Sequence, residues 1–318
     1  MNCQESCRRG RRAAQVEPFL HSLGPFRITP YLVDHSAYDA YALLVEAGGK
    51  RLFYSGDFRA HGRKGKLFNL LINHPPEDVD TLLMEGSTQS RLDAKDDFPS
   101  ETDLEKQLAN IFRATYGIVM LHASAQNIDR VVTLYRACKQ SGRTMVIDLY
   151  AAAVLEATGN ENIPQSCWPQ VALFTPERQR RQVVKNQAFD VLKRHSVNRI
   201  YREDLKAMAS KVVLLFRPLH MQDLEAAGCL EGASFVYSQW LGYLEQDSYR
   251  SMQLWLEQLG IEMKYIHTSG HASPADLTRF AAAIGAKQLV PIHSFAPDKY
   301  AQQFANVVIR QDGEWWDL

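Results

Sequence analysis

The sequence predicts an α/β protein in which a parallel-sheet domain interrupts an outer domain assembled from both ends of the chain. Three observations carry this expectation. Short runs of β-forming residues dominate the first part of the chain. A strand–helix–strand run follows over 118–149, the pattern of a βαβ unit with parallel strands. Strand and helix signals then alternate again from about residue 263 to the end. The expected division is an irregular basic tail over 1–20, an outer domain from 21–92 and 267–318, and an inserted domain over 93–266.

Taken in order, Phe26–Val33, Tyr41–Glu46 and Arg51–Ser55 read as strands, with Ala47–Lys50 (AGGK) as the turn between the last two. Val79–Met84 is a further buried strand. Ser100–Asp103 opens a helix with capping-box character, and Leu104, Leu108, Ile111 and Phe112 recur at helical spacing until Gly117. Ile118–Leu121, the helix Ile128–Cys138 and the strand Thr144–Leu149 form the βαβ unit. Gln182–Lys193 reads as a helix, Lys211–Phe216 and Ser234–Tyr237 as strands, and Tyr249–Leu259 as a helix whose Met252, Leu256 and Leu259 face the core. Met263–Ile266 is a strand and His267–Ser273 a loop. Ser273 caps the next helix, with Pro274 first inside it, and Gly285 ends it. Gln288–Pro291 and Val307–Ile309 are the last strands, against which Trp315 and Trp316 would pack.

Composition narrows the function classes. The chain has 318 residues, 46% apolar and 23% charged, which excludes collagen-like and wholly disordered readings. Lys+Arg and Asp+Glu are each 36, so a globally basic nucleic-acid coat is excluded, while a local basic groove is not. No apolar run approaches the ~18 residues of a membrane span, and the start, MNCQESCRRGRRAAQ, has no apolar signal core. Five cysteines, with Cys3 and Cys7 as the one close pair, do not make a secreted disulfide framework. Cytoplasm is therefore the expected location.

Reactive side chains recur just past predicted strand ends, where α/β proteins place their sites. They are His35 in VDHSAYDA, Asp57 in YSGDFR, Glu85 in LLMEGST, His271 in HTSGHAS and His293 in VPIHSF. Neutral imidazole and carboxylate suit zinc or manganese. Alone, each residue has an ordinary structural explanation: Asp caps turns, and a lone histidine after a strand is usually packed. Their joint order is the signal.

In that order the motifs resemble those of metallo-β-lactamase-fold hydrolases of the β-CASP group, with ribonuclease J-like enzymes as the nearest pattern. The resemblance runs from about Phe26 to the C-terminus and rests on VDHSAYDA, SGDFR, LMEGST, SGHAS and PIHSF. It implies a partial αββα sandwich with an inserted parallel-sheet β-CASP domain. It implies His35, Asp57 and His293 as metal ligands, with Asp57 bridging two zinc or manganese ions that share a hydroxide nucleophile. Glu85 would orient a ligand histidine, and His271 would assist at the transition state or leaving oxygen. The implied substrate is RNA, with single-stranded DNA as the alternative.

One part of the family pattern is missing. Its His-x-His-x-Asp-His signature should lie upstream of His35, yet no two of the ten histidines are spaced His-x-His and only His21 precedes His35. Three direct ligands then serve two metals, fewer than the three per ion that a catalytic zinc ordinarily takes. The chain is thus expected to be N-terminally truncated, to bind metal weakly and to hydrolyse poorly or not at all. The alternative is a non-catalytic remnant that binds RNA or a partner. An incomplete sandwich would also expose a sheet edge and an apolar face, inviting a homodimer or a complementing chain.

For nucleic acid, the basic loop Arg59, Arg63, Lys64 and Lys66 lies close in sequence to Asp57, with His61 among them. Ser124 and Asn127, in SAQNIDR, stand before a helix and either cap it or leave amides for a phosphate. Arg178, Arg180, Arg181 and Lys185 make a second basic run, which as a sequence reads most simply as a solvated face.

Overall fold

The computed structural model describes residues 21–89 and 97–318. Cys3, Cys7, the arginine-rich tail and the expected boundary at 92/93 lie outside them. Contacts divide the chain into two compact units, one of Glu101–Thr268 and the other of the described residues of 21–100 with Ser269–Leu318.

The outer unit begins with His21–Leu23 (β1), Phe26–Leu32 (β2), Tyr41–Ala47 (β3) and Lys50–Tyr54 (β4). These four strands pair antiparallel in sequence order. Gly48 and Gly49 both take positive φ, +56° and +77°, which matches the tight AGGK turn read from the sequence. The helix Gly65–Asn73 (α1) leads to Thr81–Glu85 (β5), which is parallel to β4.

The other unit begins at Glu101–Ala114 (α2). Val119–His122 (β6), Ile128–Ser141 (α3), Thr144–Ile147 (β7), Leu149–Ala157 (α4) and Val171–Phe174 (β8) follow. Next come Glu177–Lys185 (α5), Phe189–His195 (α6), Arg199–Ile200 (β9), Arg202–Met208 (α7) and Val212–Phe216 (β10). Met221–Ala227 (α8), Ser234–Tyr237 (β11), Asp247–Gln258 (α9) and Met263–Tyr265 (β12) complete it. Its seven strands are all parallel, in the order β12-β11-β6-β10-β7-β8-β9. Val212–Phe216 is buried at all five positions, as a strand covered on both faces must be. Around it pack Ile118, Met120, Val146, Phe174, Phe235, Met252 and Trp255.

The chain then returns to the outer unit with Pro274–Ile284 (α10), Gln288–Ile292 (β13) and Asp298–Gln303 (α11). β13 pairs parallel to β5 and completes a six-stranded sheet, β1-β2-β3-β4-β5-β13. One face of this sheet is the core: Ala42, Leu44, Phe53, Leu82 and Met84 bury against Phe68 and Leu71 of α1 and Leu277, Phe280 and Ile284 of α10. The Phe58 and Phe280 rings meet at 4.3 Å between centroids. On β3 the alternating residues Tyr41, Leu43 and Val45 are only half-buried, and so are Leu52 and Leu83 on the same side. That side carries apolar side chains where a solvated strand face carries polar ones.

Several expectations change. Gln182–Lys193 is two helices, because Gln187 at φ +52° breaks the run between Lys185 and Phe189. Thr144–Leu149 ends as a strand at Ile147: Asp148 accepts a hydrogen bond from the Ala151 amide and starts α4. Val307–Ile309 makes a single bridge to Leu289 rather than a strand. Its neighbours Asn306 and Val308 nonetheless hydrogen-bond both sides of Leu289, so backbone covers the outer edge of β13 there. Trp315 is 98% exposed and packs on no strand, while the Trp316 ring lies under the Arg310 guanidinium at 4.8 Å. Leu259 is 40% exposed beyond the end of α9, whereas Met252 and Leu256 are core. No helix among the described residues is long and apolar enough to cross a membrane.

Candidate metal centre

Four side chains from distant parts of the outer unit converge. Ligand atoms of Asp57, Glu85, His271 and His293 all lie within 4.8 Å of one another. Strand ends explain three of these placements. Asp57 follows β4, Glu85 is the last residue of β5, and His293 follows β13, the parallel neighbour of β5. His271 comes from the loop before α10, which Ser273 caps by accepting from the Asp276 amide.

Local backbone sets each side chain. Gly56 sits at φ +56°, and a Cβ there would meet the Tyr41 carbonyl oxygen at 2.7 Å, so only glycine lets the chain turn into Asp57. Gly86 lies against the Tyr300 ring, where a Cβ would come within 2.1 Å of the hydroxyl. That hydroxyl donates to the Glu85 carbonyl at 2.5 Å and so pins the end of β5. Tyr300 is fully buried, and burial pushes its phenol up, so it stays a protonated donor. His293 itself has φ +47°, an uncommon conformation for a residue with a side chain, held here at the cluster.

The hydrogen bonds sort the four residues into two jobs. Glu85 is buried; its Oε1 accepts from the Phe58 and Ala272 amides, each at 3.2 Å. Its Oε2 accepts from Ser87 Oγ at 3.3 Å and faces His271 Nδ1 at 3.1 Å. This carboxylate is engaged on both oxygens and fixes the His271 ring. Asp57 and His293 are more open, with side chains 35% and 52% exposed, and are joined by His293 Nδ1 to Asp57 Oδ1 at 2.8 Å. The His293 and His271 rings stand edge to face at 5.2 Å.

His35 lies beside the cluster but is not one of the four. Its ring is 5.4 Å from that of His271, and its Nδ1 donates to the Gly270 carbonyl at 2.6 Å, which leaves Nε2 as the acceptor nitrogen. Burial, ahead of the opposing Gly270 hydrogen bond, lowers its pKa and favours the neutral ring.

The expected nucleic-acid contacts divide differently. Arg59 is wholly buried, ion-paired to Asp34 Oδ1 at 3.4 Å and donating to the Ser269 carbonyl at 3.0 Å, so it is not a surface phosphate contact. His61 Nε2 reaches the same carbonyl at 2.9 Å. Together they anchor the loop that carries His271. Arg63 and Lys64 remain half-exposed, and the Lys64 ammonium sits 5.9 Å above the Tyr38 ring. Asn127 uses its side chain to cap α3, accepting from the Arg130 amide at 3.0 Å. Ser124 is exposed, and its Oγ accepts from the Gln126 amide at 3.2 Å. Asn127 thus takes the capping role, while Ser124 closes the turn before the helix. Sequence reasoning missed Asp34, Tyr300 and Ser87, although Asp34 stands directly before His35 and Ser87 two residues after Glu85.

Two imidazoles and two carboxylates are a donor set that suits a zinc- or manganese-type ion. Because Glu85 is already engaged by four donors, Asp57, His271 and His293 are the groups best placed to reach one ion. They fit one site more readily than two.

No family model and no curated protein matches this sequence. Among solved structures, the chain is similar to a protein of unknown function from Enterococcus faecalis V583. The TM-score is 0.72 at 20% identity, over 98% of this chain and 72% of that one. At that identity the likeness extends to the fold.

Proposed function

We propose that this chain is a metal-dependent phosphodiester hydrolase of the β-CASP metallo-β-lactamase type, acting on RNA, with a reduced metal centre. The observation that carries the reading is the convergence of Asp57, Glu85, His271 and His293 from four separate segments. The insertion of an all-parallel unit between β5 and α10 supports it. Asp57, His271 and His293 would hold a divalent cation, which would supply Lewis acidity toward water and a phosphoryl oxygen. The protein's own residues supply the rest. Glu85 orients His271, the buried Asp34–Arg59 pair steadies the loop beneath it, and half-exposed Asp57 and His293 leave the cluster open to substrate.

A second reading, a binding protein without turnover, is favoured by one observation. Glu85 is engaged on both oxygens, leaving few carboxylate donors for a second ion. One experiment separates the two: metal content by mass spectrometry, followed by cleavage of end-labelled RNA with added Zn²⁺ or Mn²⁺. About one bound equivalent with cleavage, both lost in Asp57→Ala, supports the hydrolase. Metal or RNA binding without cleavage supports the second reading. Cleavage surviving Asp57→Ala overturns the assignment.

A further inference from the structure

The unit with the seven-stranded sheet holds a separate group of residues that the metal cluster does not use. In a parallel sheet, ligands bind outside the C-terminal strand ends where neighbouring strands send their connections in opposite directions. β10 and β7 are such neighbours. β10 continues through α8 to β11 on one side, while β7 continues through α4 to β8 on the other. The strand ends beyond this point carry Arg217, Asp148 and Thr175 side by side.

A groove of about 570 Å³ opens at this edge, between the α5 side chains Arg178, Arg181, Gln182 and Lys185 and the segment 218–223. Its volume is in the range of small-ligand sites. Arg178, Arg181 and Lys185 fall at i, i+3 and i+7, so they form one stripe about 10 Å long. Arg181 donates to Glu177 at 2.9 Å, and Glu177 also accepts from Arg180. Arg178 and Lys185 have no ion-pair or hydrogen-bond partner among the described residues, so the wall carries uncompensated positive charge.

Asp223 also lines the groove. It is 3% exposed. Its Oδ2 accepts from the Glu177 amide at 3.0 Å, but its Oδ1 has no hydrogen-bond partner. The Arg180 guanidinium forms an ion pair with that oxygen at 3.8 Å, too long for a hydrogen bond. A buried carboxylate oxygen without a donor is costly and calls for an N–H or O–H from outside the fold.

One ligand chemistry answers both walls: a phosphate ester joined to a group with N–H donors. We propose that this groove is a nucleotide site, with phosphate on the Arg178–Arg181–Lys185 stripe and a base N–H donating to Asp223. The site stands independently of the metal cluster. The nucleotide can arrive free or as one residue of a single strand, and both sources share the same contacts.

The test is titration calorimetry of the full chain with AMP, GMP, CMP, UMP and inorganic phosphate, alongside a labelled single-stranded oligonucleotide. The exposed pair Arg178→Ala/Lys185→Ala is the main variant, and Asp223→Asn the second, each checked for an unchanged melting profile. The site is supported if a mononucleotide or the oligonucleotide saturates and the double variant weakens it at least about tenfold. Inorganic phosphate should bind more weakly, and Asp57→Ala should leave the affinity unchanged even where it abolishes metal binding. Saturation by mononucleotide marks a free-nucleotide site; saturation by oligonucleotide alone marks a strand contact. Absence of saturable binding, equal affinity for phosphate and nucleotide, or an unaffected double variant overturns the proposal.

Discussion

The two sheets of this protein solve burial in different ways. The seven-stranded sheet is entirely parallel, and its central strand Val212–Phe216 is closed on both faces by its own helices. The six-stranded sheet closes one face with α1 and α10 and leaves Leu43, Val45, Leu52 and Leu83 half-buried on the other. Buried polar networks follow the same division. In the parallel unit, Arg130 and Glu101 are both almost wholly buried, paired through two hydrogen bonds of 3.2 and 3.1 Å, with Thr133 and Ser238 completing the set. In the outer unit the comparable pair, Asp34–Arg59, serves the loop that carries His271, and the ionisable cluster beyond it is open. The first unit uses its polar groups chiefly to hold itself together. The second uses them to hold the His271 loop beside a cluster of ionisable side chains.

This contrast can be broken by mutation. Phe216→Ala removes a ring that is wholly buried and stacks on Trp255 at 5.8 Å, and should cost about 3–5 kcal/mol in urea unfolding. Leu43→Ala, on the half-buried side, should cost clearly less, about 1 kcal/mol. Equal losses would mean that this side is as tightly packed as the parallel core. Glu101→Gln leaves the Arg130 charge buried without its counter-charge and should cost about 3 kcal/mol in urea unfolding, with any metal uptake at the Asp57 cluster unchanged once the protein is folded.

Acid should act on the parallel unit through His220. Burial, the largest cause, brings His220 down to about 4 from an ordinary 6.5. Its folded pKa lies below the unfolded one, so the unfolded chain takes up the proton first. The stabilisation is fully present above pH 6.5 and is lost as pH falls towards 4, on the order of 3 kcal/mol in all. Unfolding free energies measured between pH 7 and 4 check this, and His220→Gln should flatten the slope.

A change beside the Asp57 cluster should touch ligand geometry as well as stability. Gly56→Ala forces a side chain onto the Tyr41 carbonyl at positive φ and should cost about 1–3 kcal/mol. Metal content should fall with it, because Asp57 is displaced. Retained metal at lowered stability would separate the turn from the ligand geometry.

The helical stretches that agree with expectation share a reason: their signals are local. Ser273, Pro274 and Gly285 bracket α10 as read, since a cap depends on a few neighbouring backbone groups. The break at Gln187 was not legible, because nothing in a glutamine announces a positive φ. Arg59 was misread for a different reason. A cation in a basic run reads as solvated, and only the fold shows Asp34 and the Ser269 carbonyl waiting for it. Glu85 and His271 were legible as candidates, but the 3.1 Å contact that gives them one job joins residues far apart in the chain.

The amino-acid order by itself marked many of the strands and the capped helix after Ser273, the interruption of an outer segment by a parallel βαβ segment, and which acids and imidazoles stand near strand ends. These follow from side-chain periodicity and capping, which act over a few residues. Tertiary structure alone decided that His35 stands beside rather than within the cluster of Asp57, Glu85, His271 and His293 and turns to Gly270, and that Asp223 is left with an oxygen lacking a hydrogen bond beside a groove. Those outcomes depend on which distant segments meet and at what register, and no local pattern of residues encodes that.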